Sequence, residues 1–140
     1  MENFSLKLVD HIAIIKIELV SATLRDSQGL WDMMDIDSIF DKNKIIIDLS
    51  SCSFVDSTFI GMIVKIFRQV KERNGVLKIV FPQLSELESF RVMGITKIIE
   101  CFRTQANAVE SFKPNSTVAK IDFDEKNLFQ SLPEKTKLFA

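Results

Sequence analysis

The stretch IIIDLSSCSFVDSTFIGMIVKIF, Ile45 to Phe67, changes character twice, and the fold class follows from how those changes are read. A run of isoleucines ends at Asp48. Small polar residues follow, and from Thr58 the apolar residues recur at three and four positions: Phe59, Met62, Ile63, Ile66, Phe67, Val70. Isoleucine packs well on a pleated surface, and neighbours in a strand point to opposite faces, so KIIIDLS reads as a strand buried on both sides. The later spacing is that of an amphipathic helix. Asp56 or Ser57 stands where a side-chain oxygen can accept an orphan N–H of the first helical turn. A buried strand leading through a short polar loop into a helix is the unit of an α/β fold with parallel strands.

Working outward, the same pattern repeats. FSLKLVD (4–10) alternates apolar and polar, as a strand with one wet face does. IAIIKIEL (12–19) is denser and more central. Ser21 or Thr23 can cap a following helix, and Leu30, Met33, Met34, Asp37 and Phe40 predict that helix within SQGLWDMMDIDSIF (27–40). ERNG ends the second helix, with Gly75 expected in the left-handed stop position. VLKIVF is the next strand, closed by Pro82. SELESFRVMG predicts a helix between a Ser85 cap and a Gly94 stop, KIIECF a brief strand, and TQANAVESF a last helix capped by Thr104. The order β-β-α-β-α-β-α-β-α implies one α/β domain with a mostly parallel sheet. KPNS then breaks the pattern, so residues 1–112 are expected to form the domain and 113–140 a C-terminal extension.

The totals narrow the function. A chain of 140 residues with 46% hydrophobic and 26% charged residues suits one globular domain. Its net charge of −1 offers nothing to nucleic acid or an acidic membrane. KIFRQVKER is basic on one side, but Glu72 interrupts it, and a solvated helix face is expected. The N-terminus lacks a basic segment ahead of an apolar run, and no uncharged stretch can span a bilayer, so a cytoplasmic location is expected. Cys52 and Cys101 have no metal-binding spacing and are expected as buried free thiols. The one histidine, His11, falls at a strand edge. The chain has four glycines and no phosphate-binding loop. Asp35 and Asp37 belong to a solvated helix face. No catalytic constellation, metal site or cofactor motif is present, so a binding protein is expected rather than an enzyme.

The segments IIIDLSSCSFVDSTFIGMIVKIFRQVKERNGVLKIVF and FRVMGITKIIECFRTQANAVESF resemble the STAS domain of bacterial anti-sigma factor antagonists. The family shows a strand ending in Asp-Leu, a short loop, and Asp-Ser-(Ser/Thr)-Gly-(Leu/Ile)-Gly opening a helix. The likeness covers most of residues 4–112. It implies a single STAS-like domain whose partners are a serine kinase that is also the anti-sigma factor and a serine phosphatase. It implies phosphorylation at Ser57, with Thr58 as the alternative, and a partner-binding surface of Asp56, Ser57, Thr58, Phe59 and Gly61. A phosphate at a helix start is tolerated by the fold while it changes the docking edge.

Two positions depart from the family pattern. Phe59 replaces a glycine, and KIELVSA keeps only Glu18 and Leu19 of Gly-Glu-Leu-Asp, with Val20 in place of the acid. Ile60, Ile63, Val64 and Phe67 already fill an inward stripe, so Phe59 is expected on the binding edge as an aromatic anchor. The departures leave a second reading open, a constitutive STAS scaffold or accessory domain in a stress-signalling or transporter complex. A small-ligand-binding domain is the third.

Overall fold

A computed structural model describes residues 3–81 and 94–120. Strands β1 (Phe4–Val9) and β2 (Ile12–Ile17) form an antiparallel hairpin. Asp10 and His11 make its turn with positive φ, as a two-residue turn between twisted strands requires. β4 (Lys44–Asp48) adds to β2 in parallel, β6 (Val76–Val80) to β4, and β7 (Cys101–Phe102) to β6. The sheet order is β1-β2-β4-β6-β7. The expected α/β class with a mostly parallel sheet is what the chain adopts. A second sheet, absent from the sequence reading, pairs β3 (Ser21–Ala22) in parallel with β5 (Phe54–Val55).

Alternate residues of the sheet feed two cores. Ile15, Ile17, Ile45, Ile47 and Ile79 face α1 (Leu24–Ile36) and α2 (Ser57–Glu72), and pack on Leu30, Met34, Ile63 and Ile66. Ile12, Ile14, Ile46, Val80 and Phe102 face the other way, toward Ala108 of α3 (Gln105–Glu110). Each fully buried isoleucine contributes about 1.5–3 kcal/mol. Lys78 lies on the α3 side almost without solvent. Its Nζ donates to Ser111 Oγ at 2.9 Å, pairs with Glu100 at 3.2 Å and stands 4.2 Å from the Phe112 ring centre.

Several boundaries differ from expectation. The first helix runs 24–36, ends at Asp37, and is followed by left-handed Ser38 and a 3₁₀ turn, Ile39–Asp41, that carries Phe40. KIIECF is mostly not strand, since a 3₁₀ turn occupies Ile95–Lys97 and only Cys101 and Phe102 pair with β6. At the end of α2 the left-handed residue is Asn74, not Gly75. Gly75 is needed for closeness instead: its N–H reaches Val70 O at 2.9 Å, and a Cβ there would meet Val70 Cγ1 at 2.8 Å. Gly94 is left-handed, while the helix expected from Ser85 lies outside the described residues. Neither cysteine forms a disulfide, and both are buried. Burial, reinforced by the charge of Glu100, pushes the Cys101 thiol far up, so it packs as a neutral group. Beyond α3, Val118 packs on the second core and Lys120 pairs with Glu100 at 3.8 Å.

Candidate functional site

The small β3–β5 sheet brings two strand-to-helix junctions side by side. Val20 O accepts the N–H of Ser53 at 2.8 Å and that of Phe54 at 3.1 Å, and the Asp56 N–H donates to Ala22 O at 3.0 Å. Thr23, rather than Ser21, is the residue at the start of α1. Its N–H and hydroxyl both donate to Asp26 Oδ2, at 2.9 and 3.3 Å. Asp56, rather than Ser57, caps α2: Oδ1 accepts the Phe59 N–H at 2.8 Å. Its other oxygen, Oδ2, accepts the N–H of Leu24, the first residue of α1, at 3.0 Å. One carboxylate therefore satisfies an orphan donor on each of two helices, where the positive ends of both dipoles converge.

Ser57, Thr58 and Gly61 are exposed on the first turns of α2. The N–H groups of Ser57 and Thr58 precede the first intrahelical bond and take no protein acceptor among the described residues. Gly61 sits one turn beyond Ser57, and a Cβ there would meet nothing within 4 Å. The site thus combines an exposed hydroxyl, free backbone donors and an open stretch of backbone. Nothing in it resembles a nucleophile with its base.

Phe59 departs from expectation. Its side chain is 0% exposed and lies in the core under α2, so it is no surface anchor. The inward stripe is Phe59, Ile63, Ile66 and Val70 with Ile60, whereas Phe67 and Val64 are only partly buried. The stripe thus opens at Phe59, and the ring fills the end of the core below the junction. Val20, in contrast, is 70% exposed, and Leu24 and Phe54 beside it are 65% and 47% exposed. These two escaped the sequence reading. Leu24 stands three residues before buried Ser27, a spacing that counts it as core, yet it lies at the exposed first turn of α1.

The sequence matches the family model for the STAS domain over residues 10–108. The chain belongs to the STAS domain family. Solved structures agree with this STAS fold. An anti-sigma factor antagonist from Mycobacterium paratuberculosis superposes with a TM-score of 0.69 at 13% identity, covering 77% of this chain and 91% of that one. A STAS domain protein from Planctomyces limnophilus gives 0.62 at 21% identity over 81% and 99%. The Bacillus cell fate determinant SpoIIAA in its phosphorylated form gives 0.61 at 16% identity over 79% and 99%. No curated protein matches this STAS sequence. No described helix of the STAS chain is long and apolar enough to cross a membrane.

Proposed function

We propose that the chain is an anti-sigma factor antagonist: a cytoplasmic binding module that sequesters a kinase-type anti-sigma factor and is released by phosphorylation of Ser57. The observation that carries this reading is the exposed Ser57 hydroxyl at the first position of α2, beside an aspartate committed to two helix caps. A phosphate there adds about two negative charges. The free N–H groups of the first turn favour that charge, so the fold tolerates it. A docked partner meets new charge that it must desolvate or repel, and binding weakens. A phosphatase restores the unmodified surface. Membership in the STAS family supports this reading, as does the likeness to SpoIIAA, a protein solved in both unphosphorylated and phosphorylated forms. Phe59 does not obstruct it, because the ring that replaces the family glycine is turned inward.

A constitutive scaffold is the second reading, favoured by one observation. Val20, Leu24 and Phe54 are exposed apolar side chains at the two junctions, with Val20 at the position where the family pattern has an acid, and such a rim suits a docking face that stays occupied. Incubation with the cognate kinase and ATP, followed by phosphosite mapping, separates the two. The switch predicts label on Ser57 that disappears in Ser57→Ala and persists in Thr58→Ala. It also predicts that Ser57→Glu lowers partner affinity without lowering Tm. An unlabelled protein that binds its partner regardless of ATP establishes the scaffold.

A further inference from the structure

The face of the sheet turned away from α1 and α2 carries a cavity of about 350 Å³ that the phosphoswitch does not use. α3 has six residues and leaves the amino-terminal half of β1 and the carboxyl end of β2 uncovered on that face. Strand register puts Ser5, Lys16 and Asp48 side by side across β1, β2 and β4, with Lys7 next to Ile14 in the adjoining row. These residues, with Ser50 and Gln105, line the cavity.

The two sides of the cavity differ in chemistry. On one side stand two ammonium groups. Lys16 is the register partner of Asp48, yet no ion pair joins them, and none of the ion pairs among the described residues involves Lys7 or Lys16. On the other side stands Asp48, 2% exposed. Its Oδ1 accepts the Ser50 N–H at 2.8 Å, and its Oδ2 accepts Gln105 Nε2 at 2.7 Å. With its nitrogen committed to Asp48, the Gln105 amide has its oxygen available as an acceptor, and each carboxylate oxygen keeps further acceptor capacity. Ile14 gives the cavity an apolar patch.

We infer that this cavity binds a small phosphorylated polyol, its phosphate monoester held by Lys7 and Lys16 and its hydroxyls donating to Asp48 and Gln105. Two ammonium groups that take part in none of the ion pairs among the described residues match a dianionic monoester, since lysine binds phosphate as a point charge. Acceptors fixed by their own hydrogen bonds select hydroxyl donors over a second anion. The volume is at the small end for ligand sites, about 300–1,000 Å³. Among the described residues no aromatic side chain lines the cavity, so none of them offers a nucleobase a ring to stack on.

The test is a titration of the ¹⁵N-labelled full chain with glycerol 1-phosphate, inorganic phosphate, glycerol, and vesicles of phosphatidylglycerol. Saturable shifts of the Ser50 N–H and the Gln105 side-chain amide are expected with glycerol 1-phosphate, weaker ones with inorganic phosphate, and none with glycerol or vesicles. Lys7→Gln and Lys16→Gln should each weaken binding by about tenfold, the worth of one charge-assisted hydrogen bond, with Tm unchanged. The inference is overturned if no shift saturates, if the two variants bind as the parent does, or if phosphate and glycerol 1-phosphate bind equally. Shifts centred on Ser57 and Thr58, or a response to the vesicles, overturn it as well. None of these readouts depends on a kinase, so this site and the Ser57 switch fail separately.

Discussion

Ser57 and Gly61 stand one helical turn apart on the open side of α2, and Phe59 between them points the other way. The three positions answer to different physics. At Gly61 an added Cβ touches nothing, and alanine favours a helix by about 1 kcal/mol over glycine. Gly61→Ala should therefore raise Tm, while placing a methyl group where a partner's backbone would approach Ser57. Calorimetry and a binding titration on the same variant are expected to move in opposite directions, with stability up and affinity down. A variant that gains stability and binds as before removes Gly61 from the interface. Phe59→Ala should behave inversely. Emptying a buried aromatic site costs about 3–5 kcal/mol, measurable by urea unfolding, and the protein that remains folded should keep its partner affinity.

Among the elements, α1 and α2 are coupled at their N-termini by the Asp56 carboxylate, with Phe59 on one oxygen and Leu24 on the other. A cap is worth about 1 kcal/mol, so Asp56→Ala should cost about 2 kcal/mol, roughly twice an ordinary cap loss. Hydrogen exchange locates the effect. Protection is expected to fall at both Leu24 and Phe59, whereas loss at Phe59 alone would mean that the bond to α1 contributes nothing. Farther along α2 the basic residues are not a free positive face. Lys65 lies 4.6 Å from the Trp31 ring centre, and Arg73 pairs with Asp41 at 2.8 Å while stacking 5.2 Å from Phe40. These contacts tie α2 to α1 and to the 3₁₀ turn after it.

For the whole molecule, the two faces of the sheet are unequally covered. α1 and α2 bury β2, β4 and β6 on one face and leave Leu6 and Leu8 of β1 exposed, whereas short α3 and the residues after it cover part of the other face. We propose that residues 1–112 suffice for folding. Of the segment beyond, Val118 is partly buried on the second core and Lys120 makes one surface ion pair with Glu100. Their loss should cost about 1 kcal/mol, less than full burial of a valine. Truncation after Phe112 is expected to leave a single cooperative thermal transition at a slightly lower Tm. A truncated chain with no cooperative transition would make the segment part of the domain.

Among the described residues the sequence by itself determined most of the alternation of strands and helices, KIIECF apart, because that information is local. Ile45 to Ile47, β-branched and bounded by polar residues, read as a buried strand, and the spacing from Phe59 to Val70 reads as a helix. It also determined where the candidate site lies, since a polar cluster between such elements falls at the carboxyl edge of a parallel sheet. Tertiary structure decided what that edge presents. Periodicity fixes the angle of a side chain around its helix but not how far the core extends along it. For that reason Phe59, expected on the binding edge, lies in the core, and Leu24, on a core-like spacing, is exposed. Asp56 was legible as a cap for one helix; its bond to the other depends on a contact between residues 32 positions apart. The cavity of Lys7, Lys16, Asp48 and Gln105 had one faint local signal, the lone carboxylate closing an isoleucine run. It exists only because three strands pair in one register and α3 is too short to cover them.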